Sequence, residues 1–598
     1  MRNLHALARG PAQAALFLTG LALAASSASV CASAWAKDPL AFSGAHAPAD
    51  SPPPVGAAHG MVVTAQSIAS HVGAEILAKG GNAADAAVAV AYALAVVLPA
   101  AGNIGGGGFM TLMQPNGQAV FIDFRERAPL AATATMFQDA KGNVIPGLSL
   151  HSWKAIGVPG TVAGMELVLH KYGTLSRAEV MAPAIKLARD GFVLGPLDAA
   201  LLHTSTAGFK ADPAAAKIFL RPDGTPWQAG DRLVQTDLAH TLDAISKHGK
   251  AAFYAGPVAQ AIVDASEKNG GILAMGDFAT YKARQLKPVT CTYRGFLVDT
   301  APPPSGGGVA LCEMLNILSG YDMRALGYHT APSAQREIEA MRRAYEDRQD
   351  LGDPRFVHDP VARLTSPGYA AAVRRVTPKD HALAMANLPP VTQNEKPETT
   401  HFSIVDKQGR AVSMTYTLNG WFGAQVVAPG TGVTLNDEMD DFSSKPGSPN
   451  MFGIVGSQAN AVAPGKTPLS SMTPTILSRH GHVVMAIGSP GGSLIPTIVL
   501  SVVLGVVDHG QTIQQAIDDG RFHEQWTPEP VWMEPGALPD PVVKTLIGEG
   551  YVFKQHAPWG SAEGVLVGGP ALDVTPHNGE HVFGGIDRRH PGAAAVGE

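Results

Sequence analysis

A change of periodicity near Thr399 limits what this chain can fold into. Upstream, apolar residues recur at helical spacing. Residues 67–79 carry Ile68, Val72, Ile76 and Leu77 along one side, Gly80-Gly81 ends that helix, and Asn82 is placed to cap a second over 83–97. The second helix is Ala/Val-rich on nearly every side, which predicts burial. Residues 160–280 read as mainly helical, with breaks such as Arg221-Pro222-Asp223-Gly224. Downstream the pattern shifts to short runs rich in β-branched residues. Phe402-Ser403-Ile404-Val405 and residues 411–417 flank a hairpin loop at 406–410, and residues 475–478 and 483–487 flank a second at 479–482. A helix-rich first half and a strand-rich second half fit two sheets held between two layers of helix.

Composition narrows the class. Of 598 residues, 45% are hydrophobic and 16% charged, as in a globular protein. A net charge of −6, with no basic block interleaved with aromatics, argues against a nucleic-acid partner. Residues 1–36 read as a secretory signal. Arg2, His5 and Arg9 form a basic start, residues 12–25 are mostly apolar, and Ala34-Trp35-Ala36 is a small-x-small site before Lys37. The apolar run is shorter than the roughly 20 residues of a spanning helix, so cleavage and a periplasmic or secreted product are expected. A lipid anchor on Cys31 would want a small residue where Val30 stands. Residues 38–56, rich in Pro, Ala and Ser, read as a flexible mature start. Cys291 and Cys312 could pair in an oxidising compartment or remain two core thiols; both readings stay open. The 21 histidines show no metal-ligand spacing, and no metal is expected.

The chemistry centres on Glu398-Thr399-Thr400-His401-Phe402-Ser403. An internal threonine hydroxyl has no base of its own. At a chain start it lies beside a free α-amine that can take its proton. Residues 376–398, polar and broken by Pro389, Pro390 and Pro397, suit an exposed cleavage segment. Taken alone, the segment reads better as the opening of an ordinary strand than as a catalytic chain start. The glycines of 102–108 invite a phosphate cradle, but no Gly-Lys-Ser/Thr follows, so they read as backbone packed close to a site before a strand at 109–113. Pro302-Pro303-Pro304-Ser305-Gly306-Gly307-Gly308 reads as a turn before a helix near 311–318, with no chemistry assigned.

Several motifs together carry a resemblance. Residues 79–87 (Lys-Gly-Gly-Asn-Ala-Ala-Asp-Ala-Ala), 105–110, Asp123-Phe124-Arg125-Glu126, 399–406, 415–419, Asn436-Asp437-Glu438-Met439-Asp440-Asp441-Phe442, Pro468-Leu469-Ser470-Ser471-Met472 and Gly488-Ser489-Pro490-Gly491-Gly492 occur in the order and at the spacing of the γ-glutamyltranspeptidase family. The resemblance spans nearly the whole chain after the leader. It implies an α/β four-layer αββα sandwich of the N-terminal-nucleophile hydrolase type. It also implies a precursor cut between Glu398 and Thr399, so that a helix-rich large chain (37–398) and a strand-rich catalytic small chain (399–598) form one composite domain as a heterodimer, with no cofactor.

The implied activity is γ-glutamyl transfer from glutathione or a similar donor to water or to an amino acid or peptide amine. By resemblance, Thr399 is the nucleophile, Thr417 orients it, and Gly491 and Gly492 form the oxyanion hole. Arg125, Ser470 and Ser471 hold the donor α-carboxylate, while Asn419, Glu438 and Asp441 hold its α-ammonium. Lys445 to Val455 matches a lid segment, with Phe452 where a latching tyrosine stands in many bacterial members; a phenyl ring cannot make that hydrogen bond to Asn419. Two alternatives compete: a glutaryl or cephalosporin acylase of the same fold, and an unprocessed, non-catalytic binding protein.

Overall fold

The computed structural model describes residues 50–383, 398–527, 529–568 and 582–598. The expected signal, Cys31 and most of the expected cleavage segment lie outside them. Among the described residues, two seven-stranded sheets dominate, and every pairing within them is antiparallel. The first runs Ala594–Gly597, Met61–Thr64, Thr400–Val405, Ala411–Thr417, Gly107–Met113, Ala119–Asp123, Arg284–Leu286. The second runs Val55–Ala57, Val582–Gly585, Glu563–Val567, His482–Gly488, Thr475–Arg479, Phe296–Thr300, Val289–Tyr293. Strands from before and after Thr399 thus sit side by side in both sheets.

The two-residue alternation of strand side chains sorts the core into layers. Met61, Val63, Val405, Ile476 and Val565 fill the space between the sheets. Their neighbours Val62, Ile404 and Met414 face the other way, into a core shared with the helices Ser67–Ala78 and Ala83–Val97. On the far side Leu477, Met485 and Val298 pack against the helices Gly307–Leu318, Ala331–Asp347 and Ile495–Val507. The order is helix, sheet, sheet, helix. All fifteen residues of Ala83–Val97 are buried, as its composition predicts, and Asn82 caps it by accepting from the Ala84 and Asp85 amides.

Toward the site, the space between the sheets turns polar. His401 bonds Thr415 Oγ1 at 2.8 Å and Ser403 Oγ at 3.1 Å, and Ser403 donates to the Glu563 carbonyl at 2.8 Å. Burial lowers the His401 pKa to about 3, so this imidazole is neutral and structural.

Two expectations shift at their edges. The strand expected from residue 109 begins at Gly107, because Gly107 and Gly108 pair with Thr417 and Tyr416. The helix expected near 311 begins at Gly307. The open question of Cys291 and Cys312 closes: the two form a disulfide that ties the strand Val289–Tyr293 to the helix Gly307–Leu318.

Candidate active site

Strand register builds the site's centre. Thr400 pairs with Tyr416, so the residue before one and the residue after the other are opposed at the sheet's end. Thr399 Oγ1 donates to Thr417 Oγ1 at 3.1 Å, and Thr417 Oγ1 accepts the Asn419 amide at 2.9 Å. Gly106 lies directly behind: a Cβ there would meet the Thr417 carbonyl at 2.1 Å. The glycine-rich loop is therefore backbone pressed against the site, as expected from the sequence. Thr399 itself has φ +130, a conformation that costs a β-branched residue about 1–3 kcal/mol.

Thr399 opens into a narrow pocket. Arg125, Thr417, Asn419, Glu438, Asp441, Phe452, Ser470, Ser471 and Gly492 line it with Ile454, Met472 and Ile495. The structure thus brings together every expected site residue except Glu398, the residue before Thr399, and Gly491, which stands one residue behind the wall. Gly491 and Gly492 have φ of +132 and +51, values that favour glycine. They turn the chain from Gly488 into a 3₁₀ turn, Gly492–Leu494, and then the helix Ile495–Val507.

The charged side of the pocket is a buried cluster. Arg125, 1% exposed, follows the strand Ala119–Asp123 and forms ion pairs with Glu438 and Asp441, which the 3₁₀ turn Glu438–Asp441 presents together. This differs from the expectation in one respect. The sequence assigned Arg125 to one end of a substrate and the two acids to the other, whereas the structure joins all three. Arg125 Nε has no hydrogen-bond partner among the described residues. Burial raises the Glu126 pKa to about 8 and lifts Glu438 well above the carboxylate range, with Arg125 opposing both.

The double serine is held from behind by the turn at 302–308, for which no chemistry was expected. Ser305 Oγ donates to the Met472 carbonyl at 2.7 Å, and the Gly306 amide donates to the Ser470 carbonyl at 2.8 Å. Met472 N donates to Ser470 Oγ at 3.0 Å. Sequence reasoning missed Arg348, which donates to Ser471 Oγ at 3.1 Å, and Met451, whose Sδ accepts from Asn419 Nδ2 at 3.3 Å. Phe452 lines the pocket as the lid reading requires, while Asn419 Nδ2 donates to the neighbouring Met451 Sδ and, at 3.2 Å, to the Asp437 carbonyl. Asn450 extends the same segment by donating to Asp441 Oδ1 at 3.1 Å.

No helix among the described residues is long and apolar enough to cross a membrane, and no cluster of metal-ligating side chains occurs among them.

The comparisons with known proteins agree with this geometry. The pattern of the family described as Gamma-glutamyltranspeptidase matches residues 69–597. The glutathione hydrolase proenzyme of Pseudomonas sp. (strain A14) is 52% identical over 546 residues, 91% of this chain and 95% of that protein. That of Escherichia coli (strain K12) is 43% identical, covering 92% and 96%. Among solved structures, the cephalosporin acylase from Bacillus halodurans superposes with TM-score 0.77 at 26% identity, covering 91% of this chain and 96% of that one. The Helicobacter pylori γ-glutamyltranspeptidase superposes with TM-score 0.53 at 44% identity, covering 53% and 91%. The four-layer arrangement is that of the N-terminal-nucleophile hydrolases, and the chain belongs to the γ-glutamyltranspeptidase family.

Proposed function

We propose that this chain is a glutathione hydrolase and γ-glutamyltransferase made as a proenzyme. The observation that carries the reading is the Thr399 hydroxyl, held by Thr417 at 3.1 Å, opening onto a pocket with hydroxyls on one wall and buried acids on another.

Maturation comes first. Thr399 Oγ attacks the Glu398 carbonyl, the acyl group passes from nitrogen to oxygen, and water opens the ester to leave Thr399 with a free α-amine. The positive φ at Thr399 supports this step, because φ ceases to exist once the Glu398–Thr399 bond is cut and its strain is released. The products are a large chain ending at Glu398 and a small chain, 399–598, that remain together. Both parts contribute strands to both sheets, so neither part has a complete sheet alone. The 53% coverage by the Helicobacter pylori chain, against more than 90% by the proenzyme sequences, fits such a division.

In turnover, the α-amine takes the Thr399 proton and Oγ attacks the γ-amide carbonyl of the donor. Backbone N–H groups at Gly491 and Gly492 stabilise the oxyanion. The amine leaves, a γ-glutamyl ester remains on Thr399, and water or an acceptor amine removes it. Ser470, Ser471 and Arg125 Nε receive the α-carboxylate; Glu438, Asp441 and Asn419 receive the α-ammonium. No step calls for a cofactor. Residues 1–36 direct the protein out of the cytoplasm, to the periplasm or the medium.

A cephalosporin or glutaryl acylase is the second reading, favoured by the Bacillus halodurans superposition. Such donors carry no α-ammonium, so buried Glu438 and the Asp441 carboxylate would have no ligand to meet. The test is kcat/KM for γ-glutamyl and glutaryl anilides: a glutaryl preference would decide for the acylase.

A further inference from the structure

Arg348 lies just beyond the helix Ala331–Asp347, 6% exposed, in a short 3₁₀ turn. Unlike Arg125, it forms no ion pair with any described residue, and its Nε has no hydrogen-bond partner among them. Its hydrogen bonds go to the double serine: Nη2 donates to Ser471 Oγ at 3.1 Å and to the Ser470 carbonyl at 3.3 Å. A buried guanidinium without a carboxylate is costly, and one kept against a substrate pocket calls for an anion that arrives later.

Two consequences follow. The first is directional. A hydroxyl has one proton; because Ser471 Oγ accepts from Arg348, that proton remains to be donated, and Ser471 lines the pocket beside Thr399. Ser470 Oγ likewise accepts, from the Met472 amide, and keeps its proton. The second is electrostatic. The charge of Arg125 is shared with Glu438 and Asp441, with Glu126 also beside it, so that cluster offers little net positive field. Arg348 is the nearby cation that forms no ion pair with a described residue; the carboxylate whose charge reaches it, Asp441, is already paired with Arg125.

We infer that Arg348 is a positioning residue for donor recognition: it polarises and aims the Ser471 hydroxyl, and supplies a positive charge not tied into an ion pair, for the α-carboxylate of the substrate. This rests on the γ-glutamyl reading of the pocket, and assigns its carboxylate selectivity to a residue that itself stands behind the wall.

The test uses the mature enzyme and two donors, γ-glutamyl-4-nitroanilide and its α-carboxamide. Arg348→Gln is expected to raise KM for the carboxylate donor about ten- to a hundredfold, the range for a lost hydrogen bond to a charged group, with kcat within about threefold. The carboxamide donor should change by less than about threefold in kcat/KM, since a neutral amide needs little of the charge. Equal losses on both donors would overturn the inference. Should Arg348→Gln fail to give folded, two-chain protein, Arg348→Lys decides. It keeps the charge and loses the planar fork, so the carboxylate-to-carboxamide ratio of kcat/KM should fall at least about threefold. An unchanged ratio would overturn it. Turnover of the γ-glutamyl donor by the wild type tests the underlying function separately: if it is absent, the functional reading fails; if it is present with an unchanged ratio in the variants, only the role of Arg348 fails.

Discussion

Thr399 and Thr417 face each other at the ends of two paired strands, with their hydroxyls 3.1 Å apart. The contact is set by register, so any one-residue slip of the hairpin would separate them. Thr417→Ala removes the acceptor that holds the Thr399 hydroxyl, the proposed nucleophile. Loss of one neutral hydrogen bond predicts a fall in kcat of about three- to tenfold and slower maturation, while Thr417→Ser should restore most of both. Single-turnover rates and the time course of chain cleavage check this; equal defects in the Ala and Ser variants would contradict it.

Donor choice tests the acidic wall. Asp441 pairs with Arg125 and accepts from Asn450, and is proposed to meet the α-ammonium when donor binds. Truncating one member of a desolvated charge pair costs about 2–5 kcal/mol, or roughly thirtyfold to several thousandfold. For Asp441→Ala that loss should fall on γ-glutamyl anilides and spare glutaryl anilides, which lack the ammonium. Maturation should survive, because Glu398 in the precursor presents no free α-ammonium. Equal losses on the two donors would remove the role from Asp441.

The lid makes a smaller prediction. A thioether is a weak acceptor, so Met451→Leu should raise KM only about two- to fivefold through the lost bond to Asn419. Phe452→Tyr brings a hydroxyl into the same pocket, and it should lower KM if that hydroxyl reaches Asn419. Proteolytic sensitivity within residues 445–455 gives an independent reading. A Met451→Leu enzyme with unaltered KM and protease resistance would show that Asn419 does not hold the lid through sulfur.

The Cys291–Cys312 disulfide spans 21 residues between the outer strand and a core helix. Cys291→Ser should lower stability by about 2–4 kcal/mol, read as a lower denaturation midpoint, with kcat little changed because both sulfurs lie away from the pocket. A midpoint equal to the wild type's would contradict this.

The layers were legible because strand side chains alternate: Ile404 and Val405, adjacent in sequence, end in different cores. The Thr399–Thr417 pair was legible because the two residues recur in a family pattern that fixes their spacing. What was not legible depends on distances between remote segments. Arg348 sits in Arg342-Arg343-Ala344-Tyr345-Glu346-Asp347-Arg348, which reads as the charged face of a helix; only folding carries its last arginine under the double serine. The junction of Arg125 with Glu438 and Asp441 was hidden for the same reason, since over 300 residues separate the partners of the Arg125–Asp441 bond. The disulfide was open until the strand and helix carrying its two cysteines were placed side by side.

The central claim is that Thr399 becomes a chain terminus and then carries the acyl group. Intact-mass measurement of purified wild type and Thr399→Ala, before and after a short exposure to a γ-glutamyl donor, tests it most directly. The account predicts two chains in the wild type, the smaller beginning at Thr399, and a transient γ-glutamyl adduct on that chain at Thr399. It predicts one uncut chain with no adduct in Thr399→Ala. A cleaved Thr399→Ala protein, or a wild-type adduct mapped to any other residue, would contradict it.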